Sequence, residues 1–147
     1  MSAPKINLDL RTFDKPDAET IKMIDNILIA FNEEKMATER KPTAIVAYDR
    51  QEFVGGIYFR RYGQSAVIDY LAVIEDRRGQ GIGQHLMAAA EKKLQREGCH
   101  HITLETMSHQ APDFYRELGY KDIASIPEYY DRNTRFVLRK TLMEGSR

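Results

Sequence analysis

Apolar positions recur along this chain at two different periods, and the switches between them mark its elements. Residues 6–11 alternate and read as a first strand. Pro16-Asp17 then opens a helix, with Asp17 as N-cap and Ile21, Ile24, Leu28 and Phe31 as its buried stripe. Polar residues from Asn32 to Lys41 end it. Residues 43–48 and 53–58 read as the next two strands, joined by the turn Asp49-Arg50-Gln51-Glu52, and Tyr62-Gly63-Gln64 makes the following turn. Residues 67–74 are apolar on both faces, as a central strand should be. After them Ile82, Leu86, Ala89, Ala90 and Leu94 recur at helical spacing until Gly98 supplies a stop. A fifth strand (101–106), a short helix (111–118) and a closing pair of strands (119–126 and 134–142) complete the chain. This order predicts an α+β mixed sheet of about seven strands with helices on both faces.

The length of 147 residues suits one domain, 1–147, burying roughly two-thirds of its unfolded surface. Lys and Arg number 22 against 22 Asp and Glu, so no global field draws the chain to nucleic acid or to an anionic membrane. Cys99 has no second cysteine to pair with and reads as a small buried hydrophobe at a strand start, which fits a reducing compartment. The first ten residues carry no signal-like apolar run, and nothing approaches the length of a membrane span. A cytoplasmic protein is expected. His85, His100, His101 and His109 lack metal-ligand spacing, so no metal is expected.

The chemistry concentrates where the central strand meets the following helix, at Arg78-Gly79-Gln80-Gly81-Ile82-Gly83. First-turn amides have no intrahelical acceptor, and the helix dipole favours an anion beside them. Glycines let the backbone approach phosphate oxygens closely. The segment therefore predicts a diphosphate-bearing ligand. A P-loop would need Gly-Lys-Ser/Thr, which does not occur. A dinucleotide fold would need Gly-x-Gly-x-x-Gly near the start of a βαβ unit, and these glycines have the wrong spacing and lie mid-chain.

A second segment, Ala111-Pro-Asp-Phe-Tyr-Arg-Glu-Leu-Gly-Tyr120, follows the fifth strand. Together the two segments resemble the GNAT superfamily of acyl-CoA-dependent N-acetyltransferases. Its glycine motif, Gln/Arg-x-x-Gly-x-Gly/Ala, is matched by Arg78, Gly81 and Gly83. Its later signature is matched by Ala111, Phe114, Tyr115, Gly119 and Tyr120. The resemblance covers nearly the whole chain. It implies a mostly antiparallel sheet whose fourth and fifth strands splay apart, and acetyl-CoA as co-substrate.

By that resemblance, the backbone of Leu71, Ala72 and Val73 pairs with the pantetheine arm as if it were another strand. The amides of Arg78, Gly79, Gln80, Gly81, Ile82, Gly83 and Gln84 cradle the pyrophosphate. Tyr115 aligns with the tyrosine that contacts the CoA sulfur and acts as general acid; its plain alternative is a core aromatic. Where many relatives have an Asn that contacts the pantetheine, this chain has Ser108, so that contact is expected to be shorter-reaching or water-mediated. Asp69, two residues before Leu71 and therefore expected on the same face, is one candidate base. A carboxylate satisfied by an arginine is the equal alternative. Glu105 on the neighbouring strand is the rival. Glu75 reads as a solvated charge at the mouth of the loop.

The leading expectation is an N-acetyltransferase for a primary amine of a small molecule. Glu33, Glu34, Glu128 and Asp131, beside Tyr129 and Tyr130, would suit a cationic amine, although solvated acids explain them as well. A protein lysine or N-terminal acetyltransferase and a non-catalytic acyl-CoA sensor are the alternatives. The resemblance also allows a homodimer. A tRNA-acetylating enzyme would want a basic face, and the balanced charge argues against it.

Overall fold

The computed structural model describes residues 6–36 and 38–142. Contacts divide the chain after residue 37 into two compact units. The first holds one helix, α1 (Ala18–Lys35), and begins as its sequence dictates: Asp17 Oδ1 accepts the Thr20 amide at 2.8 Å. That bond holds the Asp17 carboxyl below its ordinary range. Residues 6–11 form no strand, since a lone extended segment has no neighbour to satisfy its backbone within this unit. The stripe of Ile21, Ile24, Leu28 and Phe31 is laid out on α1 as expected. Within this unit it is exposed, because the helix has no second layer of its own unit to pack on. Residues 1–5 of the stretch read for a signal sequence lie outside the described residues.

The second unit is a mixed sheet of six strands rather than about seven. The strands are β1 (Arg40–Asp49), β2 (Glu52–Tyr62), β3 (Ser65–Val73), β4 (His101–Met107), β5 (Lys121–Tyr130) and β6 (Asn133–Thr141), in the spatial order β1-β2-β3-β4-β6-β5. Only β3 and β4 run parallel. Between them the chain passes through a 3₁₀ turn at Glu75–Arg77 and the helix α2 (Ile82–Arg96); a short helix, α3 (Pro112–Glu117), follows β4. Such a crossover is what a parallel pair requires. Arg50 and Gln51 both adopt left-handed φ, 52° and 72°, as a two-residue hairpin between β1 and β2 demands. The segment 127–130, expected as a connection, instead belongs to β5. Pro127 is tolerated there because β5 is an edge strand and its pairing is interrupted between Ile126 and Tyr130.

Leu86, Met87, Ala90 and Leu94 of α2 are buried against Ile57, Phe59, Ala66, Ile68, Ile102, Leu104 and Leu138 of the sheet. Met87 takes the place expected for Ala89, which lies on the exposed face. Phe114 and Tyr115 of α3 and Leu118 at its C-cap join the same core, and Cys99 is fully buried in it. Among the described residues no helix is long and apolar enough to cross a membrane, and no group of three His, Cys, Asp or Glu side chains could hold a metal ion.

Candidate active site

Two irregularities of β3 create the site. The first is where its pairing with β4 stops. Bridges run from Ser65↔His101 to Ile68↔Leu104 and no further, so the strands part beyond that point. Leu71, Ala72 and Val73 remain bonded to β2 on one side only. Ile74 donates its amide to Val54 of β2 at 3.0 Å. Successive residues of a strand point their backbone groups to opposite sides, so Val73 and Leu71 turn theirs into the gap. The Val73 carbonyl there accepts a bond from Arg78 Nε at 3.0 Å.

The second is a bulge. Tyr58 faces Tyr70 and Phe59 faces Ile68, leaving Asp69 as an extra residue on β3. Asp69 consequently does not share a face with Leu71, as simple alternation predicts. Leu71, paired with Ile57, packs into the core under α2. Asp69 points to the other face, where Arg60 Nε and Nη2 donate to its two oxygens at 2.6 and 2.8 Å. Arg60 also donates to the Tyr62 hydroxyl at 3.0 Å. Glu105 stands on that same face of β4, between core-facing Leu104 and Thr106, and pairs with Arg135. Arg135 in turn covers the Tyr129 ring, 4.4 Å from its centroid.

The glycine turn closes one end of the gap. Gly79 and Gly81 adopt φ of 80° and 83°, a region that an ordinary residue enters only with strain. Gly81 caps α2 without any side-chain hydrogen bond. The first helical amide bond runs from His85 to the Gly81 carbonyl at 3.0 Å, so the amides of Ile82, Gly83 and Gln84 precede the ladder. A Cβ on Gly79 would meet nothing within 4 Å, whereas one on Gly83 would lie 3.3 Å from Phe114 Cζ. Gly83 therefore lets α3 pack against the first turn of α2. That contact brings Tyr115 to the turn.

The result is a cleft of about 500 Å³, lined by Leu71, Ala72, Val73, the turn from Arg77 to Gln84 with the exception of Gln80, and Ala111, Phe114 and Tyr115 of the α3 segment. Burial pushes the Tyr115 phenol above its ordinary range, so it remains protonated through neutral pH. Of the expected ligand-binding residues, Gln80 and Ser108 do not line the cleft. Gln80 accepts from Arg77 at 3.3 Å. Ser108 is engaged by β6, its hydroxyl accepting the Thr134 amide at 3.0 Å and lying 3.2 Å from Asn133 Oδ1. Arg77 lines the cleft without having been singled out in the sequence. Its ion pairs with Asp49 and Glu52 join it to the β1–β2 hairpin, across a separation that no local pattern signals.

Residues 7–120 match the model of the Acetyltransferase (GNAT) family. The blasticidin-S acetyltransferase of Streptomyces morookaense is 39% identical over 95 residues, 64% of this chain and 70% of that protein. An acetyltransferase from Bacillus cereus superposes with a TM-score of 0.72 at 23% identity, covering 90% of this chain and 98% of that one. An aminoglycoside 6′-N-acetyltransferase complexed with coenzyme A gives a TM-score of 0.63 at 23% identity, over 88% and 94% of the two chains. The family match, the order of the two motifs and the parted β3–β4 pair agree, and the chain is a GNAT-family acetyltransferase.

Proposed function

We propose that the protein moves an acetyl group from acetyl-CoA to the primary amine of a small molecule. One observation carries this reading: a single cleft is lined by the part of β3 that β4 leaves unpaired, Leu71 to Val73, by the glycine turn from Arg78 to Gln84 with the exception of Gln80, and by Tyr115. Each boundary suits one part of the donor. The amides at the start of α2 and the Arg78 guanidinium fit a pyrophosphate, and the free edge of β3 fits the two amides of a pantetheine arm. The thioester supplies an activated acyl group. The Tyr115 proton goes to the departing thiolate, which a phenol kept neutral by burial can do. Asp69 and Glu105 are the candidate groups for taking a proton from the amine.

The blasticidin-S relative and the aminoglycoside enzyme crystallised with coenzyme A support this choice of donor and acceptor class. The face of the sheet away from α2 carries acids already paired with arginines, Asp69 with Arg60 and Glu105 with Arg135. The amine is therefore selected by hydrogen bonding and aromatic contact more than by net negative charge. Thiol release from acetyl-CoA, measured against blasticidin S, aminoglycosides, a peptide lysine and a peptide N-terminus, tests the reading. Turnover confined to the small molecules is expected; turnover confined to the peptides would replace it with a protein-directed enzyme.

A further inference from the structure

Three elements converge on the last turn of α3, behind the cleft. Glu91 of α2 accepts the Tyr120 hydroxyl at 2.8 Å and, through its other oxygen, the Lys140 ammonium at 2.9 Å. Lys140, reaching over from β6, also donates to the Leu118 carbonyl at 2.7 Å. The Tyr120 amide returns to the Tyr115 carbonyl at 3.1 Å, and the two rings meet edge to face with centroids 6.2 Å apart. Glu91 and Lys140 are mostly withdrawn from solvent, with side chains 18% and 28% exposed. Neither lines the cleft.

A helix of six residues cannot hold its own direction in water, because too few hydrogen bonds repay its nucleation. What aims Tyr115 is therefore what grips the two ends of α3. Phe114 against Gly83 fixes the side facing the turn. At the other end Lys140 caps a terminal carbonyl and places a positive charge where the helix dipole is negative. Glu91 holds that ammonium and the Tyr120 ring together, and the ring backs Tyr115. We infer that Glu91 and Lys140 are positioning residues for the reaction, fixing the Tyr115 phenol in the cleft from outside it. This rests on the reading of Tyr115 as the proton donor.

The test compares Glu91→Gln in the wild type and in Tyr115→Phe, measuring kcat at saturating acetyl-CoA and the Kd for acetyl-CoA. Glu91→Gln keeps the shape and an acceptor for Tyr120 but loses the charge that holds Lys140. It is expected to lower kcat about tenfold in the wild type, since a small misplacement of a reacting group costs on that order, with Kd within about twofold. In Tyr115→Phe the same change should lower kcat less than about twofold, because no proton donor remains to be misplaced. Lys140→Gln cuts the same tether from β6 and should repeat the pattern, so the test stands if Glu91→Gln folds poorly. Equal losses in both backgrounds, or wild-type kcat in both variants, would overturn the inference while leaving Tyr115 in its role. Wild-type kcat for Tyr115→Phe alone would instead remove the reading on which it rests.

Discussion

Asp69 and Glu105 are the residues immediately beyond the last bridge between β3 and β4, and both stand on the face of the sheet away from α2. Each holds an arginine, Arg60 for one and Arg135 for the other. The parting of two strands thus places a pair of neutralised carboxylates on either side of the gap. Asp69→Asn is expected to cost roughly 1–3 kcal/mol of stability, because it leaves the half-buried Arg60 without its charge partner. Glu105→Gln should cost less, its side chain being 44% exposed against 22% for Asp69. In kinetics, Asp69→Asn should depress kcat, whereas Glu105→Gln should chiefly raise the KM for the amine. Both variants retaining full activity would assign proton removal to water.

Acetyl-CoA at about 100-fold above its Kd should add roughly 2.7 kcal/mol of stability, a rise of roughly 5–10 °C in Tm. Gly81→Glu should abolish that rise. Gly98→Glu is the matched control, since Gly98 sits at the other end of α2 with φ of 85° against 83° and open space around it. Both substitutions strain the backbone in the same way, so both should lower the Tm of the free protein. Only the first should remove the response to ligand, and loss of that response in both would mean the turn is not where the diphosphate sits.

Tyr115→Phe keeps the ring that packs against Phe114 and Tyr120 while deleting the proton. A general acid contributes about 10²–10⁴ in rate, and with a thiolate leaving group the loss should fall near the low end. It should appear in kcat, not in the Kd for acetyl-CoA, and shrink with a better-leaving thioester. Unchanged turnover with a good amine would make Tyr115 a core aromatic only.

Burial also raises the Tyr120 phenol above its ordinary range, joined by the adjacent Glu91 carboxylate. In the unfolded chain a tyrosine loses its proton near pH 10, while the folded protein keeps Tyr115 and Tyr120 protonated beyond that. Above about pH 10 the unfolded state therefore binds fewer protons, and stability falls as pH rises, by up to about 1.4 kcal/mol per pH unit for each tyrosine. Tyrosine absorbance should show Tyr115 and Tyr120 ionising at higher pH in the folded protein than in the unfolded chain. Tyr120→Phe should leave one such group and a shallower alkaline decline.

The sequence by itself determined what depends on neighbouring residues. The 3.6-residue period set α2 on its core, and Asp17 fixed the start of α1, because capping and amphipathic burial are decided within a turn or two. The run from Arg78 to Gly83 announced a bare helix N-terminus, and Ala111 to Tyr120 placed Tyr115 one short helix later. Only the tertiary structure decided which groups face each other. The bulge at Asp69 arises from the β2–β3 register, and it reverses the face that alternation assigns to the carboxylate. Arg60, Arg135 and Arg77 find their acids across strands and hairpins. Ser108 turns to β6, and Glu91 reaches Lys140 across 49 residues. Such contacts depend on register and crossover, which are settled by the packing of the whole sheet, and no local run of residues encodes them.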